Sequence, residues 1–93
     1  MDSKDVKGEI LNFFQNNFLY GENAEEIDAN ESLINQGYID STGIIGLVLF
    51  IENTFNLKVY DHEIIPENFD SLNNILAYIY NKVEDRNSSR IRR

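Results

Sequence analysis

The chain of 93 residues carries 8 Lys and Arg against 16 Asp and Glu, a net charge of −8, and it has neither cysteine nor tryptophan. This length holds one domain, and without cysteine that domain has no disulfide or thiolate zinc site. The acidic balance argues against binding to nucleic acid or to an anionic membrane surface, and the longest apolar run is too short to cross a bilayer. Since the N-terminus also lacks the pattern of a signal peptide, we expect a soluble, cytoplasmic domain without membrane insertion.

Hydrophobic spacing predicts a first helix that is capped by Asp2 or Ser3. Its apolar residues recur every three or four positions, as in an amphipathic helix; they are Val6, Ile10, Phe13, Phe14 and Phe18. Between Leu19 and Asp40 this periodicity is absent, and turn-forming and acidic residues predominate. We therefore predict a long first loop that is pinned across the domain by four apolar anchors, Ile27, Leu33, Ile34 and Ile39.

A second long helix is predicted from Ser41 to Phe55, with Asn56 as its end. At about 100° per residue, its core stripe consists of Ile44, Leu47, Val48, Ile51 and Phe55. Ile45 and Leu49 fall off this stripe on the side of Ser41, so either they form a partly exposed apolar rim or a broad core covers both. Gly46 likewise has two interpretations, since it either permits close approach of the loop or of a partner, or is a tolerated small surface residue.

The C-terminal part predicts one short helix and one long helix. Pro66 suits the first turn of a short helix over 66–69, and Asp70 or Ser71 then caps a last long helix whose apolar positions are Leu72, Ile75, Leu76, Ile79 and Val83. Four of the eight basic residues follow it, which predicts a basic, disordered tail over 86–93. The sequence thus predicts an all-α four-helix bundle of three long helices and one short helix over residues 1–85.

The sequence offers no enzyme constellation. His62 is the single histidine, and spacing supports neither a base–nucleophile pair nor a metal-ligand set, so we predict no catalytic and no metal-binding residues. The informative segment, Gly37-Tyr38-Ile39-Asp40-Ser41, opens the most apolar helix. In one interpretation Asp40, Ser41 or Thr42 is simply an N-cap. In the other, Ser41 presents its hydroxyl for modification, and a phosphate ester there would meet free backbone N–H groups and the positive end of the helix dipole.

Several features together resemble the acyl carrier proteins. They are the Asp40-Ser41 pair, the helix end Ile51-Glu52-Asn53-Thr54-Phe55-Asn56-Leu57, and the turn Ile65-Pro66-Glu67-Asn68-Phe69-Asp70-Ser71-Leu72. The resemblance covers about residues 4–83. It implies that Ser41, which follows the family aspartate Asp40, carries 4′-phosphopantetheine that a separate phosphopantetheinyl transferase supplies from coenzyme A. The thiol of this arm would hold an acyl or aminoacyl group as a thioester.

The sequence departs from the fatty-acid carriers of this family directly after the serine. Those carriers usually have leucine at that position and a second helix rich in acids, whereas here Thr42 and Gly43 follow Ser41 and the helix holds a single acid, Glu52. The departure favours a dedicated pathway over primary fatty-acid synthesis. We predict that partner enzymes dock on Thr42, Ile45, Leu49 and Glu52.

Three functions are compatible with the sequence. The leading prediction is a non-catalytic, monomeric acyl carrier whose partners are the phosphopantetheinyl transferase, a loading ligase, and the synthase or transferase enzymes of its pathway. An aminoacyl or D-alanyl carrier of the same fold is the alternative. In the third case the chain is an unmodified helical interaction domain in which Asp40 and Ser41 act only as caps.

Overall fold

The computed structural model describes residues 5–19 and 21–91, of which 86–91 by their backbone alone. Within these residues the protein is all-helical, and its five α-helices are α1 (Val6–Asn17), α2 (Leu33–Gln36), α3 (Ser41–Phe55), α4 (Pro66–Phe69) and α5 (Leu72–Ile91). Two single 3₁₀ turns, Ala24–Glu26 and Asp61–Glu63, lie in the connections. The three predicted long helices and the predicted short helix α4 are present, and α2 is a second short helix that the sequence did not predict.

The helix α1 begins at Val6, with Asp5 at the N-cap position. The predicted caps, Asp2 and Ser3, lie outside the described residues. The buried face of α1 follows the predicted stripe and includes Ile10 and Phe14. At the edge of this face, the ring of Phe13 stacks on the ring of Phe50 with the centroids 4.4 Å apart, and this contact joins α1 to α3.

The first loop contains α2 and the first 3₁₀ turn. Three of its four predicted anchors, Ile27, Leu33 and Ile39, are buried, but Ile34 is 43 % exposed, so its prediction as an anchor is wrong. The reason is the helical geometry of α2, since neighbouring residues on a helix point about 100° apart and Leu33 takes the inward direction. Gly37 ends α2 at φ 85, a left-handed conformation that glycine adopts without steric cost.

The helix α3 has the predicted bounds. It begins at Ser41 and ends at Phe55, and Asn56 follows in the left-handed region with φ 57. The predicted core stripe faces inward, with Ile44 partly buried at its end and the remaining four residues buried, namely Leu47, Val48, Ile51 and Phe55. This apolar stripe fixes the rotation of α3 about its axis, and with it the direction in which Ser41 points.

The start of α5 decides between the two predicted caps. The Ser71 hydroxyl oxygen accepts a hydrogen bond from the Asn74 N–H at 3.1 Å, so Ser71 caps the helix, while Asp70 binds the first loop instead. The helix continues to Ile91, so the backbone is helical for most of the stretch in which the sequence predicted a disordered tail. The domain boundary at residue 85 stays a prediction.

The core draws on every helix and on the two long connections. In α4 and α5 its members are Phe69, Leu72, Ile75, Tyr78 and Ile79. Both α4 and α1 pack against α5. None of the helices in the described part of the chain is long and apolar enough to span a membrane.

Candidate functional site

Asp40 and Ser41 lie where the first loop enters α3. The Asp40 carboxylate accepts the Gly43 N–H through Oδ1 at 2.8 Å, and its backbone oxygen accepts the Ile44 N–H at 3.0 Å. Asp40 is therefore the N-cap of α3, which confirms the capping interpretation for this residue. Ser41 occupies the first helical position, its side chain is exposed, and its hydroxyl has no hydrogen-bond partner among the residues that the structure describes.

The surroundings of Ser41 favour an anion. The backbone N–H groups of Ser41 and Thr42 find no acceptor in the described part of the chain, as is usual for the first turn of a helix. The 15 residues of α3 direct the positive end of their dipole to the same place, which stabilises negative charge there. The Ser41 hydroxyl is thus accessible for modification, and backbone N–H donors that could bind a phosphate ester lie beside it.

A cavity of about 230 Å³ opens beside Ser41. Its walls come from α2, α3, α4 and the connection before α4, and apart from Ser41 its lining is apolar, namely Ile34, Ile44, Ile45, Ile64, Ile65, Pro66 and Phe69. Ile34, which α2 turns away from the core, forms part of the wall of this cavity. The sequence analysis did not predict the cavity. The available signal was Ile64-Ile65, two neighbouring apolar residues before Pro66 that lie outside every predicted helix.

The predicted apolar rim is exposed. Ile45 is 53 % and Leu49 is 54 % exposed, so the interpretation in which a broad core covers both is wrong. Thr42, the third predicted docking residue, is also exposed. A Cβ on Gly46 would meet no atom within 4 Å, so in the described structure no loop approaches this glycine. Thr42, Ile45, Gly46 and Leu49 form an open, largely apolar surface, which we call the α3 rim.

Glu52 differs from the other predicted docking residues. It is partly buried, and its Oε2 accepts the Val59 N–H at 2.9 Å. The carboxylate therefore holds the chain that leaves α3 against the helix it has just left. A docking role for Glu52 stays a prediction beside this structural one.

Glu63 fastens the connection before α4 to α5. Its Oε1 accepts hydrogen bonds from the Tyr60 N–H at 3.0 Å, from the Tyr78 hydroxyl at 2.9 Å and from Lys82 Nζ at 3.0 Å. Burial alone would raise the pKa of Glu63, but these three bonds and the charge of Lys82 lower it below its ordinary value of 4.5. Because the cavity-lining Ile64 follows Glu63 directly, this ionic tie positions one wall of the cavity.

His62 does not belong to a cluster of possible metal ligands in the described part of the chain. The His62 side chain is exposed, and its ring stacks on that of Tyr60 with the centroids 6.0 Å apart. Across the residues that the structure describes, no three His, Asp or Glu side chains come close enough to hold a metal ion. In the lining of the apolar cavity, the one side-chain hydroxyl is that of Ser41.

Comparison with known proteins bears on the family of the chain. No protein-family model matches the chain. Two proteins of Streptococcus suis, both named D-alanyl carrier protein, are similar to it: that of strain 98HAH33 is 34% identical over 73 residues, and that of strain 05ZYH33 is 33% identical over 73 residues. Each alignment covers 78% of this chain and 89% of the relative, so the similarity extends over nearly the whole length of a carrier protein. The chain therefore belongs to the phosphopantetheine-type carrier proteins, the family in which these D-alanyl carrier proteins fall.

Proposed function

We propose that the chain is a non-catalytic carrier whose Ser41 is modified with 4′-phosphopantetheine. The observation that carries the proposal lies at the start of α3, where Asp40 makes the capping bond to Gly43. The exposed Ser41 hydroxyl has no hydrogen-bond partner among the described residues. If Ser41 itself were the cap, its hydroxyl would be engaged by the helix. The family of the two similar proteins supports the same conclusion.

In this proposal the chain holds the prosthetic group and exposes it to partner enzymes, and none of the described residues activates the Ser41 hydroxyl. When attached, the prosthetic group supplies a thiol that holds cargo as a thioester. The Ser41 hydroxyl makes no hydrogen bond to a base among the described residues, and the capping oxygen of Asp40 is already used by Gly43. We therefore assign the removal of the Ser41 proton to the transferase. The N–H groups of Ser41 and Thr42 would then stabilise the charge of the phosphate ester.

The α3 rim is the proposed contact surface for the transferase, the loading ligase and the later enzymes of the pathway. Ile45 and Leu49 are more than half exposed, and exposed apolar side chains beside a reactive group mark a place where partners bind. The open space around Gly46 would let a partner backbone come close to α3. Glu52 is the one proposed docking residue outside the α3 rim.

For the cargo we propose an acyl group with an apolar end. The cavity beside Ser41 is lined mainly by isoleucine, which suits a hydrocarbon chain. An aminoacyl cargo would bring an ammonium group for which the lining offers no charged partner, and an unpaired buried charge is costly. D-Alanine is the alternative cargo, since both similar proteins are named for it, and it would have to remain outside the cavity.

Modification is tested by incubating the purified protein with coenzyme A and a broad-specificity phosphopantetheinyl transferase. We expect the intact mass to rise by one phosphopantetheinyl group in the wild type and to stay unchanged in Ser41→Ala. Thr42→Ala, which removes the neighbouring hydroxyl, is the matched control and should be modified. A wild type that gains no mass, or a Ser41→Ala variant that gains it fully, would overturn the proposal.

Cargo is tested by loading Ser41 directly from hexanoyl-coenzyme A or from D-alanyl-coenzyme A with the same transferase. Methyl NMR signals of Ile34, Ile64 and Ile65 should shift with the hexanoyl form relative to the unloaded form, because the chain enters the cavity. The D-alanyl form should leave them in place. If the hexanoyl form shifts none of these signals, the acyl proposal loses its structural support and D-alanine becomes the favoured cargo.

A further inference from the structure

Two glycines on α3 differ in what surrounds them. A Cβ on Gly46 would meet nothing within 4 Å, whereas a Cβ on Gly43 would lie 2.7 Å from Cγ1 of Ile39 and 3.1 Å from Cε1 of Phe18. Carbon atoms that are not bonded to each other do not approach to 2.7 Å, since their favourable separation is about 3.5–4.0 Å. Position 43 therefore accepts a side chain only if its neighbours move.

These neighbours have little freedom to move. Ile39 is 6 % exposed, and a β-branched side chain has few alternative rotamers. The ring of Phe18 packs against the rings of Phe13 and Phe14, with centroid distances of 5.6 and 5.3 Å. The displacement caused by a side chain at position 43 would thus fall on the backbone around Ile39.

That backbone leads directly to the modification site. Ile39 precedes Asp40 and Ser41 in the chain, and the N–H that Asp40 binds is that of Gly43 itself. A Cβ on Gly43 would also come within 3.4 Å of the capping oxygen of Asp40. One residue therefore touches both the cap of α3 and the segment that carries the hydroxyl.

We propose that Gly43 is a positioning residue for the modification of Ser41. Its missing side chain lets Ile39 and Phe18 close on the first turn of α3, and this contact fixes Asp40 and Ser41 at the orientation that the transferase requires. The inference rests on the proposed function of Ser41, but it concerns the rate of that modification and not its occurrence.

A purely structural role for Gly43 makes a different prediction. In that case an added methyl group would lower the stability of the protein, while the folded fraction would be modified at the wild-type rate. A positioning role lowers kcat of the modification in fully folded protein and leaves KM nearly unchanged, because the α3 rim is untouched. The two roles are separated by measuring folding and kinetics on the same samples.

The test compares Gly43→Ala with Gly46→Ala. Both add one methyl group to α3, three residues apart, and alanine is the better helix former. We expect the denaturation midpoint of Gly46→Ala to equal or exceed that of the wild type, which makes this variant the control for stability. Asn53→Ala, at an exposed position of α3 outside the α3 rim, is the control for kinetics and should leave kcat unchanged. For folded Gly43→Ala we expect kcat to fall roughly tenfold to a hundredfold, as misplacement of a reacting group by about 1 Å can cause. Adding Ile39→Ala to Gly43→Ala opens space for the added methyl group, so the double variant should recover part of the lost kcat.

Each outcome is decisive for one claim. If Gly43→Ala is folded and is modified as fast as Asn53→Ala, the positioning role is wrong and the modification of Ser41 stands. If the wild type is not modified at all, the proposed function fails and the inference fails with it. Should Gly43→Ala not fold, Phe18→Leu removes the ring contact with Gly43 conservatively, and an unchanged kcat in this variant would overturn the inference.

Discussion

Asp70 joins two segments that are far apart in the chain. Its Oδ1 accepts the Ile34 N–H at 3.0 Å, its Oδ2 accepts the Ser32 hydroxyl, and its backbone oxygen accepts the Leu33 N–H at 2.7 Å. These bonds tie the first turn of α2 to the junction between α4 and α5. Because Ile34 lines the cavity beside Ser41, Asp70 also fixes one wall of the candidate site.

Replacing Asp70 with alanine is expected to lower the free energy of unfolding by about 1–3 kcal/mol. The change removes two hydrogen bonds to a charged carboxylate, one from the Ser32 hydroxyl and one from the Ile34 N–H, and hydrogen bonds to charged groups contribute about this much. Urea denaturation of the wild type and the variant measures the difference. The control is Asp61→Ala, which removes the same charge from an exposed position and should cost no more than about 0.5 kcal/mol. Equal effects of the two changes would contradict this role of Asp70.

Local sequence rules could not assign these roles to single residues. They named Asp70 or Ser71 as the cap of the last helix, because either residue type can bind an N–H three positions ahead. The structure gives the cap to Ser71 and gives Asp70 a partner that is 38 residues away, a contact that no local pattern contains. Ser41 was predictable because its environment is local, with the cap residue directly before it and the apolar helix directly after it.

At the scale of elements, the connection from α3 to α4 is held by ionisable groups. Glu63 binds Lys82 and Tyr78 on α5, and Lys82 also lies over the Tyr60 ring at 5.0 Å from its centroid. Burial is the main reason that the pKa of Tyr78 is raised, and its hydrogen bond to Glu63 and the negative charges of Glu63 and Glu52 add to it. The connection is therefore most stable when Glu63 is charged and Tyr78 is neutral.

The pH dependence of stability should reveal this tie. The pKa of Glu63 is lower in the folded state than its ordinary value of 4.5, so its ionised form stabilises the fold above pH 4.5, and this contribution is lost as the pH falls through the folded-state pKa. We expect the difference in the free energy of unfolding between the wild type and Glu63→Gln to be largest at about pH 7 and to shrink toward about pH 3. Urea denaturation across this range measures it. Glu67→Gln, at an exposed position, is the control, and a difference for Glu63→Gln that does not change with pH would refute the assignment.

Apolar periodicity reveals long helices, whereas a short helix such as α4, predicted from Pro66, shows only in the residues at its ends. The helix α3 spans four turns, so its apolar periodicity and the stop at Asn56 predicted both ends correctly. The helix α2 has four residues, which is too short for a period to repeat. The usable signals for it were Ser32, whose hydroxyl oxygen accepts the Asn35 N–H at 3.0 Å, and Gly37, which ends the helix. A helix this short is therefore recognised from the residue types at its two ends and not from apolar periodicity.

For the molecule as a whole, acidity and the proposed contact surface are separate. Net charge is −8, and the first loop holds five exposed acids, Glu22, Glu25, Glu26, Asp28 and Glu31. On α3 the single acid, Glu52, is bound to the Val59 N–H, and the exposed residues Ile45 and Leu49 are apolar. Long-range charge is therefore expected to affect how fast a partner arrives, whereas the contact beside Ser41 depends on apolar burial.

These two contributions respond differently to salt, and Leu49→Gln separates them. Raising NaCl from about 0.02 M to about 0.5 M shortens the range of electrostatic interaction to a few ångströms, so kcat/KM for modification of the wild type by a transferase with a basic docking face should fall severalfold. The uncharged change Leu49→Gln should lower kcat/KM roughly tenfold, as loss of an apolar anchor does, and by the same factor at both salt concentrations. Tyr80→Gln is the control, since Tyr80 is 52 % exposed on a different helix, α5, and it should leave kcat/KM unchanged.

The two halves of this prediction can fail independently. A wild-type rate that does not depend on salt would remove the role of the acidic surface in steering. A Leu49→Gln variant modified at the rate of Tyr80→Gln would remove the α3 rim as the contact surface, because the exposure of Leu49 would then have no consequence for binding. If the loss caused by Leu49→Gln vanished at high salt, the contact would be electrostatic, and the proposed apolar contact would be wrong although the carrier function would stand.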